Sequence, residues 1–261
     1  MSPVLPRVLA LDTSTDRLSV ALGAGGDAVP LRLSQGPGGA QASATLIPTI
    51  LQLLASVGWP LASLDAIAFG CGPGAFTGLR TACAVVQGLA LGARPGGIPV
   101  LPVNTLLATA EVAHAQWRQA GQAVNGPVLA LLDARMDEVY ACWTRPGPDG
   151  GLQLHGQPWL CAPEALQRVA MPLAPAGMEA PWLAGNALAV YADRLAPAWP
   201  QAPRLAVWPD ASALLRLAPG LWAAGAAVPA AQAQPLYVRD KVALTTEERE
   251  RVRQAAHGPV P

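Results

Sequence analysis

Lysine is almost absent from this 261-residue chain: of its 17 basic side chains 16 are Arg, and the one Lys is Lys241. A P-loop needs a Lys directly after a Gly-rich turn to reach the β- and γ-phosphates. Lys241 sits instead in R-D-K-V, so that class is excluded. Histidine is scarce as well. A helix-borne zinc site needs two His four residues apart, whereas the nearest two of His114, His155 and His257 are 41 apart. Charge of either sign is thin, at 13% with a net of +0, against ~25% in ordinary soluble domains. A neutral chain with no basic stripe has little with which to neutralise phosphates, so nucleic-acid binding by the chain alone is not expected. Cys71, Cys83, Cys142 and Cys161 form no C-x-x-C pair and no metal spacing, and are expected as buried thiols of a reducing compartment. The start of the sequence lacks a charged segment followed by a long apolar run, and no stretch of ~20 residues is uninterrupted enough to span a bilayer. The expectation is a cytoplasmic protein.

Alanine is abundant: its 52 residues supply much of the 52% hydrophobic content. The length suits one or two domains with a good core and no covalent staples. Val8–Leu11 and the alternating Leu18, Val20 and Leu22 read as two strands around a hydroxyl-rich turn, Asp12-Thr13-Ser14-Thr15. Val29, Leu31 and Leu33 give a third strand, and Ala42–Val57 has helical periodicity. Asp65–Gly70 reads as a buried strand running into a Gly-rich loop and a helix from about Leu79 to Leu91. Ile98–Val103 follows as a strand and Thr105–Gln119 as a helix. That order argues for a mixed sheet with helical cover.

The opening recurs. Leu9–Val20 aligns without gaps on Ala130–Ala141: in both, an apolar strand ends in an Asp, Asp12 or Asp133, and alternation then resumes. An offset of 121 residues suggests a duplicated domain. Such paired turns face each other across the nucleotide cleft of actin-like ATPases, where hydroxyls and backbone N–H groups hold phosphate. Asp12, Thr13, Ser14 and Thr15 are chemically fit for that, whereas Asp133-Ala134-Arg135-Met136 has neither Gly nor hydroxyl. The strand-to-helix turn Trp182–Ala187 offers only Gly185. In Cys71–Arg80, Gly72, Gly74 and Gly78 allow close backbone approach, and Thr77 or Gly78 could cap the next helix over an anion. Arg80 there opposes the helix dipole, which calls for a partner, an internal carboxylate being one option. Asp137 and Glu138, as strand neighbours, would point to opposite faces, against an acid–base pair. His114 and the eight Trp read as packing.

The strongest signal is where charge vanishes: positions 33–64 and 81–93 carry no Asp, Glu, Lys, Arg or His. A surface helix normally charges its wet face, so two bare helices flanking one strand suggest a covering partner chain. The expected interface residues are Leu46, Ile50, Leu53 and Val57 on the first helix and Ala82, Val85, Val86 and Leu89 on the second. Charge returns at Asp240–Arg253, with eight charged positions of fourteen.

At Leu9–Leu22, Gly72–Arg80 (G-P-G-A-F-T-G-L-R), Gln87–Gly92, Asp133–Tyr140 (D-A-R-M-D-E-V-Y) and Tyr237–Arg239 (Y-V-R), the sequence resembles the TsaB (YeaZ) family of tRNA threonylcarbamoyladenosine biosynthesis. The resemblance implies an α/β, actin-like fold of two lobes, 1–104 and 105–242, with 243–261 a charged tail. It implies a non-catalytic scaffold or activating subunit, with no cofactor or metal of its own and ATP only in the assembled complex. The implied partners are a TsaD-like catalytic subunit and a TsaE-like ATPase, with tRNA reached through the complex and a homodimer possible alone. Gly72, Gly74, Thr77, Gly78 and Arg80 are then a structural loop. The sequence departs from the family pattern at Ala42, where a His is common, and at Ala75 in place of Ser. The rival reading is a stand-alone actin-like ATPase or kinase.

Overall fold

A computed structural model describes residues 7–23, 30–124, 126–147, 151–178 and 180–239. Val29, Lys241, His257 and the charged stretch from Asp240 onward lie outside the described residues.

The first sheet contains β1 (Val8–Asp12), β2 (Arg17–Gly23), β3 (Arg32–Pro37), β4 (Ala66–Gly72) and β5 (Val100–Asn104), in the order β3-β2-β1-β4-β5. β2 is antiparallel to β1 and β3, while β1, β4 and β5 run parallel. Between β3 and β4 lies α1 (Ala42–Ser56), and between β4 and β5 lies α2 (Phe76–Ala93). α3 (Thr105–Gln119) follows β5 directly, its first turn capped by the Asn104 side chain accepting from Leu106 N–H at 2.9 Å.

The second sheet repeats the plan with β6 (Val128–Asp133), β7 (Val139–Pro146), β8 (Leu152–Cys161), β9 (Trp182–Ala184) and β10 (Arg204–Leu205), ordered β8-β7-β6-β9-β10. Its strand senses match those of the first sheet one for one. Short helices α4 (Leu166–Ala170), α5 (Ala187–Val190) and α6 (Ala192–Leu195) cover one face, and α7 (Ala211–Ala223) follows β10 with Asp210 as its cap. Two sheets of one order and one pattern of strand senses make a duplicated, actin-like fold.

The core is layered accordingly. α1 and α2 seal the outer face of the first sheet over Leu9, Leu11, Val20, Ile67 and Phe69. α4–α6 do the same for the second over Leu129, Leu131, Val139 and Trp143. α3 and α7 sit between the sheets in a shared core, α3 against the second and α7 against the first. A division at 104/105 therefore separates the sheets but not their cover, since 211–238 returns to the first lobe. Val228 bridges Val100, and Leu236 N–H donates to Cys71 O at 2.7 Å.

The layers correct the gapless repeat. Leu9 and Leu11 face the outer core of the first lobe, and their counterparts in the second are Leu129 and Leu131, not Ala130 and Leu132. A slip of one residue flips a strand's faces. Asp12 consequently points inward, toward Gly70 and Thr105, while Asp133 points outward to Tyr191. The two carboxylates do not face each other across the cleft.

Two element boundaries also move. α2 begins at Phe76, three residues before the expected start, because Ala75 N–H is anchored to Ser14 O at 2.7 Å and the chain can coil directly after it. The third strand begins at Arg32, leaving Leu31 and Leu33 on an exposed sheet edge. α2 is 18 residues long and apolar enough to cross a membrane by length and composition alone. Here it buries Leu79, Ala82, Cys83, Val86 and Ala90 on its own sheet and leaves an outer face with no charge after Arg80.

Candidate functional site

The cleft between the lobes is a cavity of about 280 Å³ whose walls include Ser14, Thr15 and Asp16 from the first turn and Asp133–Met136 from the second. The sequence offered the first turn as a phosphate cradle, but its polar groups are already engaged. Asp12, Thr13, Ser14 and Thr15 are all buried. Thr13 Oγ1 donates to Gly78 O at 2.8 Å, Ser14 Oγ and N–H both donate to Asp12 Oδ1, and Thr15 Oγ1 accepts from Arg17 N–H.

The glycines of the G-P-G-A-F-T-G-L-R motif explain why. A Cβ on Gly78 would lie 1.9 Å from Thr13 O, and one on Gly74 would lie 2.4 Å from Ser14 O. These glycines admit the first turn onto the start of α2, in the place where an anion would have met the helix N–H groups. Thr77 and Gly78 are within the helix rather than capping it, and the cap position is Ala75 without a side-chain bond. Arg80 has aromatic partners, not a carboxylate: its guanidinium lies 3.9 Å from the Phe76 ring centroid and its Nε donates to Tyr237 Oη at 3.1 Å.

Asp12 is the one group of the turn left partly unserved. Its Oδ2 is buried without a partner, and a Cβ on Gly70 would collide with it at 1.8 Å. Burial pushes its pKa from 3.8 up to about 6, against the lowering effect of the Ser14 bonds and helped by the charge of Asp210. Between those two values the folded chain holds a proton that the unfolded chain has released, so stability falls as pH rises through that window and the whole cost stands above it. The shift corresponds to about 3 kcal/mol. Asp12→Asn keeps the acceptor for Ser14 and removes the charge, at the cost of an unpaired NH2 group in place of the unpaired Oδ2. It is expected to stabilise the chain by about 1–2 kcal/mol at pH 7.5, with the gain gone below pH ~4. Thermal unfolding at the two pH values checks this, and a loss of stability at pH 7.5 would contradict it.

The second turn differs in backbone as well as chemistry. Arg135, Met136 and Asp137 all have positive φ, at 59°, 54° and 59°, a conformation that non-Gly residues hold only under outside constraint. Asp133 Oδ1 accepts from Arg135 N–H and from Tyr191 Oη, and Asn186 Oδ1 accepts from Asp133 N–H. Asp137 and Glu138 are not strand neighbours, since the turn includes Asp137. Asp137 pairs with Arg194 and Glu138 with Arg239, so neither is free for acid–base work. Gly185, with φ 136°, lies where a Cβ would meet Leu131 O at 1.8 Å, which makes it a packing position. Sequence reasoning missed the side walls of the cleft, Trp208 and the segment Leu236–Arg239, because neither falls in a periodic element.

The four cysteines are free and buried, and burial pushes Cys71 and Cys142 up to about 12 and Cys161 up to about 11. Thiols held that high are unreactive. His114 is drawn down to about 4 by burial and by Arg118, and its ring packs edge-on against Trp117. Among the described residues no group of three or more His, Cys, Asp or Glu is placed to hold a metal ion.

The bare helices resolve into an inner and an outer face. Leu46, Ile50, Ala82 and Val86, expected at a partner interface, are fully buried in their own lobe, and Leu53, Val57, Val85 and Leu89 pack at its margin. They meet the first sheet because α1 turns its Ala42-Leu46-Ile50-Leu54 stripe inward at i, i+4 spacing. The outer face presents Ile47, Leu51 and Leu91, exposed at 42%, 52% and 59%, among exposed Ala44, Ala55, Ala84 and Gly88.

Comparison with known proteins follows the same lines. The sequence model of the family described as "TsaD: tRNA N6-adenosine threonylcarbamoyltransferase" matches residues 39–148. The chain is 43% identical over 135 residues to the tRNA threonylcarbamoyladenosine biosynthesis protein TsaB of Haemophilus influenzae, covering 51% of each. It is 38% identical over 151 residues to that of Escherichia coli, covering 58% of this chain and 59% of the relative. The chain thus spans about half the length of the curated relatives it matches. A solved structure, YeaZ from Pseudomonas aeruginosa, superposes with a TM-score of 0.71 at 38% identity, covering 89% of this chain and 99% of that one. With an architecture and sequence shared over nearly the whole of that structure, the chain belongs to the TsaB (YeaZ) family.

Proposed function

We propose that the chain is a non-catalytic scaffold and activating subunit in the biosynthesis of tRNA threonylcarbamoyladenosine. In this reading it pairs through the outer face of α1 and α2 with a TsaD-like catalytic subunit, and a TsaE-like ATPase joins that pair. The modified adenosine is the one beside the anticodon of tRNAs reading codons that begin with A, and the tRNA is reached through the complex. The protein works in the cytoplasm, with no cofactor of its own and with ATP used only by the assembly.

One observation supports the reading above the others: two adjacent helices expose Ile47, Leu51 and Leu91, and α1 throughout and α2 after Arg80 carry no charged residue. Water-facing helices seldom do so, and interface cores are depleted of charge. The cleft adds to it, since its first turn spends its hydroxyls internally and the inward Asp12 has no facing carboxylate in Asp133.

Two measurements test it. Affinity capture of the tagged chain from its own cytosol is expected to bring down a TsaD-like protein. Calorimetric titration of the purified chain with Mg-ATP is expected to give no saturable heat. Tight binding with turnover would favour the rival reading of an actin-like ATPase or kinase and would overturn this one.

A further inference from the structure

Three sequence motifs quoted above, G-P-G-A-F-T-G-L-R, D-A-R-M-D-E-V-Y and Y-V-R, meet at one place, and the scaffold reading makes no use of it. Leu236–Arg239 belongs to neither sheet and to no helix, yet it lines the cleft between walls from both lobes. At its first end it is tied to the first lobe. Leu236 N–H donates to Cys71 O, the Tyr237 ring lies 5.4 Å from that of Phe76, and Arg80 bonds Tyr237 Oη while covering Phe76. Gly72 is shaped for this contact: its φ is 125°, and a Cβ there would stand 2.5 Å from Leu236 O.

At its other end the segment grips the second lobe. The Arg239 guanidinium donates to Ala134 O at 3.1 Å and to Glu138 Oε2. Its side chain is only 14% exposed, although the cleft mouth is a surface feature. The turn it grips is the run of three left-handed residues, Arg135–Asp137. Such a run persists only where its surroundings over-determine it, and Arg239 bonds on either side of it.

We propose that Leu236–Arg239 is an interlobe strap that fixes the opening of the cleft, so that the two lobes move as one body. Phe76 and Arg80 are its anchor on the first lobe, and the D-A-R-M-D-E turn is its anchor on the second. Actin-like lobes can otherwise rock about the helices between them, here α3 and α7. The strap crosses the cleft and opposes that motion with an aromatic stack at one end and a charged clamp at the other.

The test uses the full chain with spin labels on introduced Ala62→Cys and Gln167→Cys, exposed positions of the first and second lobes. The native thiols are buried and do not compete for label. Pulsed dipolar spectroscopy of the otherwise unaltered chain is expected to give one narrow distance. Tyr237→Ala with Arg239→Ala is expected to broaden and lengthen it by several ångströms. Hydrogen exchange separates release of the strap from general loosening. Amides of 134–138 and the Leu236 amide, which donates to Cys71 O, should exchange about tenfold or more faster, while β1 and β6 keep their protection. An unchanged distance distribution, or an exchange increase spread evenly over both sheets, would overturn the proposal.

Discussion

Gly78→Ala is expected to destabilise the chain by about 3 kcal/mol or more, lowering the Tm by roughly 6–12 °C. The added methyl would lie 1.9 Å from Thr13 O, a backbone atom, and no side-chain rotation relieves such a clash. Either the first turn lifts from α2, breaking the 2.8 Å bond from Thr13 Oγ1 to Gly78 O, or the helix start shifts. The same substitution ten residues on has the opposite sign. At Gly88 an added Cβ meets nothing within 4 Å, and Ala is the better helix former by about 1 kcal/mol. Paired thermal melts of Gly78→Ala and Gly88→Ala check the claim that the motif glycine is a packing device. Equal melting temperatures would refute it.

Neighbouring substitutions on α1 are expected to fail in different ways. Ile50 is fully buried, and Ile50→Glu places a carboxylate in an apolar core, costing about 3–5 kcal/mol and much of the folded population. Leu51 is 52% exposed on the outer face. Leu51→Glu should fold within about 0.5 kcal/mol of the parent, yet weaken pairing with a TsaD-like partner by about 100-fold, some 3 kcal/mol, because the new charge is buried only in the complex. Circular dichroism separates the two on folding, and gel filtration with the partner separates them on pairing. Undiminished pairing by Leu51→Glu would show that this face is not the pairing surface.

These two residues also mark where the sequence was legible and where it was not. The absence of charge over 33–64 and 81–93 identified the helices, because composition reports on partners without needing geometry. It could not assign their faces. With apolar residues nearly all round α1, Ile50 and Leu51 look alike until the sheet shows which stripe it buries. The fold was legible from the repeat of a strand ending in Asp, but the gapless match hid a change of face, since a one-residue slip leaves both carboxylates at strand ends while turning Asp12 inward and Asp133 outward. Trp208 and Leu236–Arg239 reach the cleft through long-range contacts from irregular backbone, and periodicity cannot find these. The helices α4–α6, four or five residues each, are too short to show a period at all. Arg80 announced its need of a partner by opposing the helix dipole, but Tyr237, 157 residues away along the chain, was beyond local inference.

The proposed function requires that this chain activate transfer without performing it. The direct measurement is threonylcarbamoyl transfer to tRNA by a purified TsaD-like subunit with its TsaE-like ATPase, assayed with this chain, with Leu51→Glu, and with neither. Transfer is expected with the unaltered chain, transfer near the background level with Leu51→Glu, and none from the chain alone. Full transfer in the absence of the chain, or transfer by the chain alone, would contradict it.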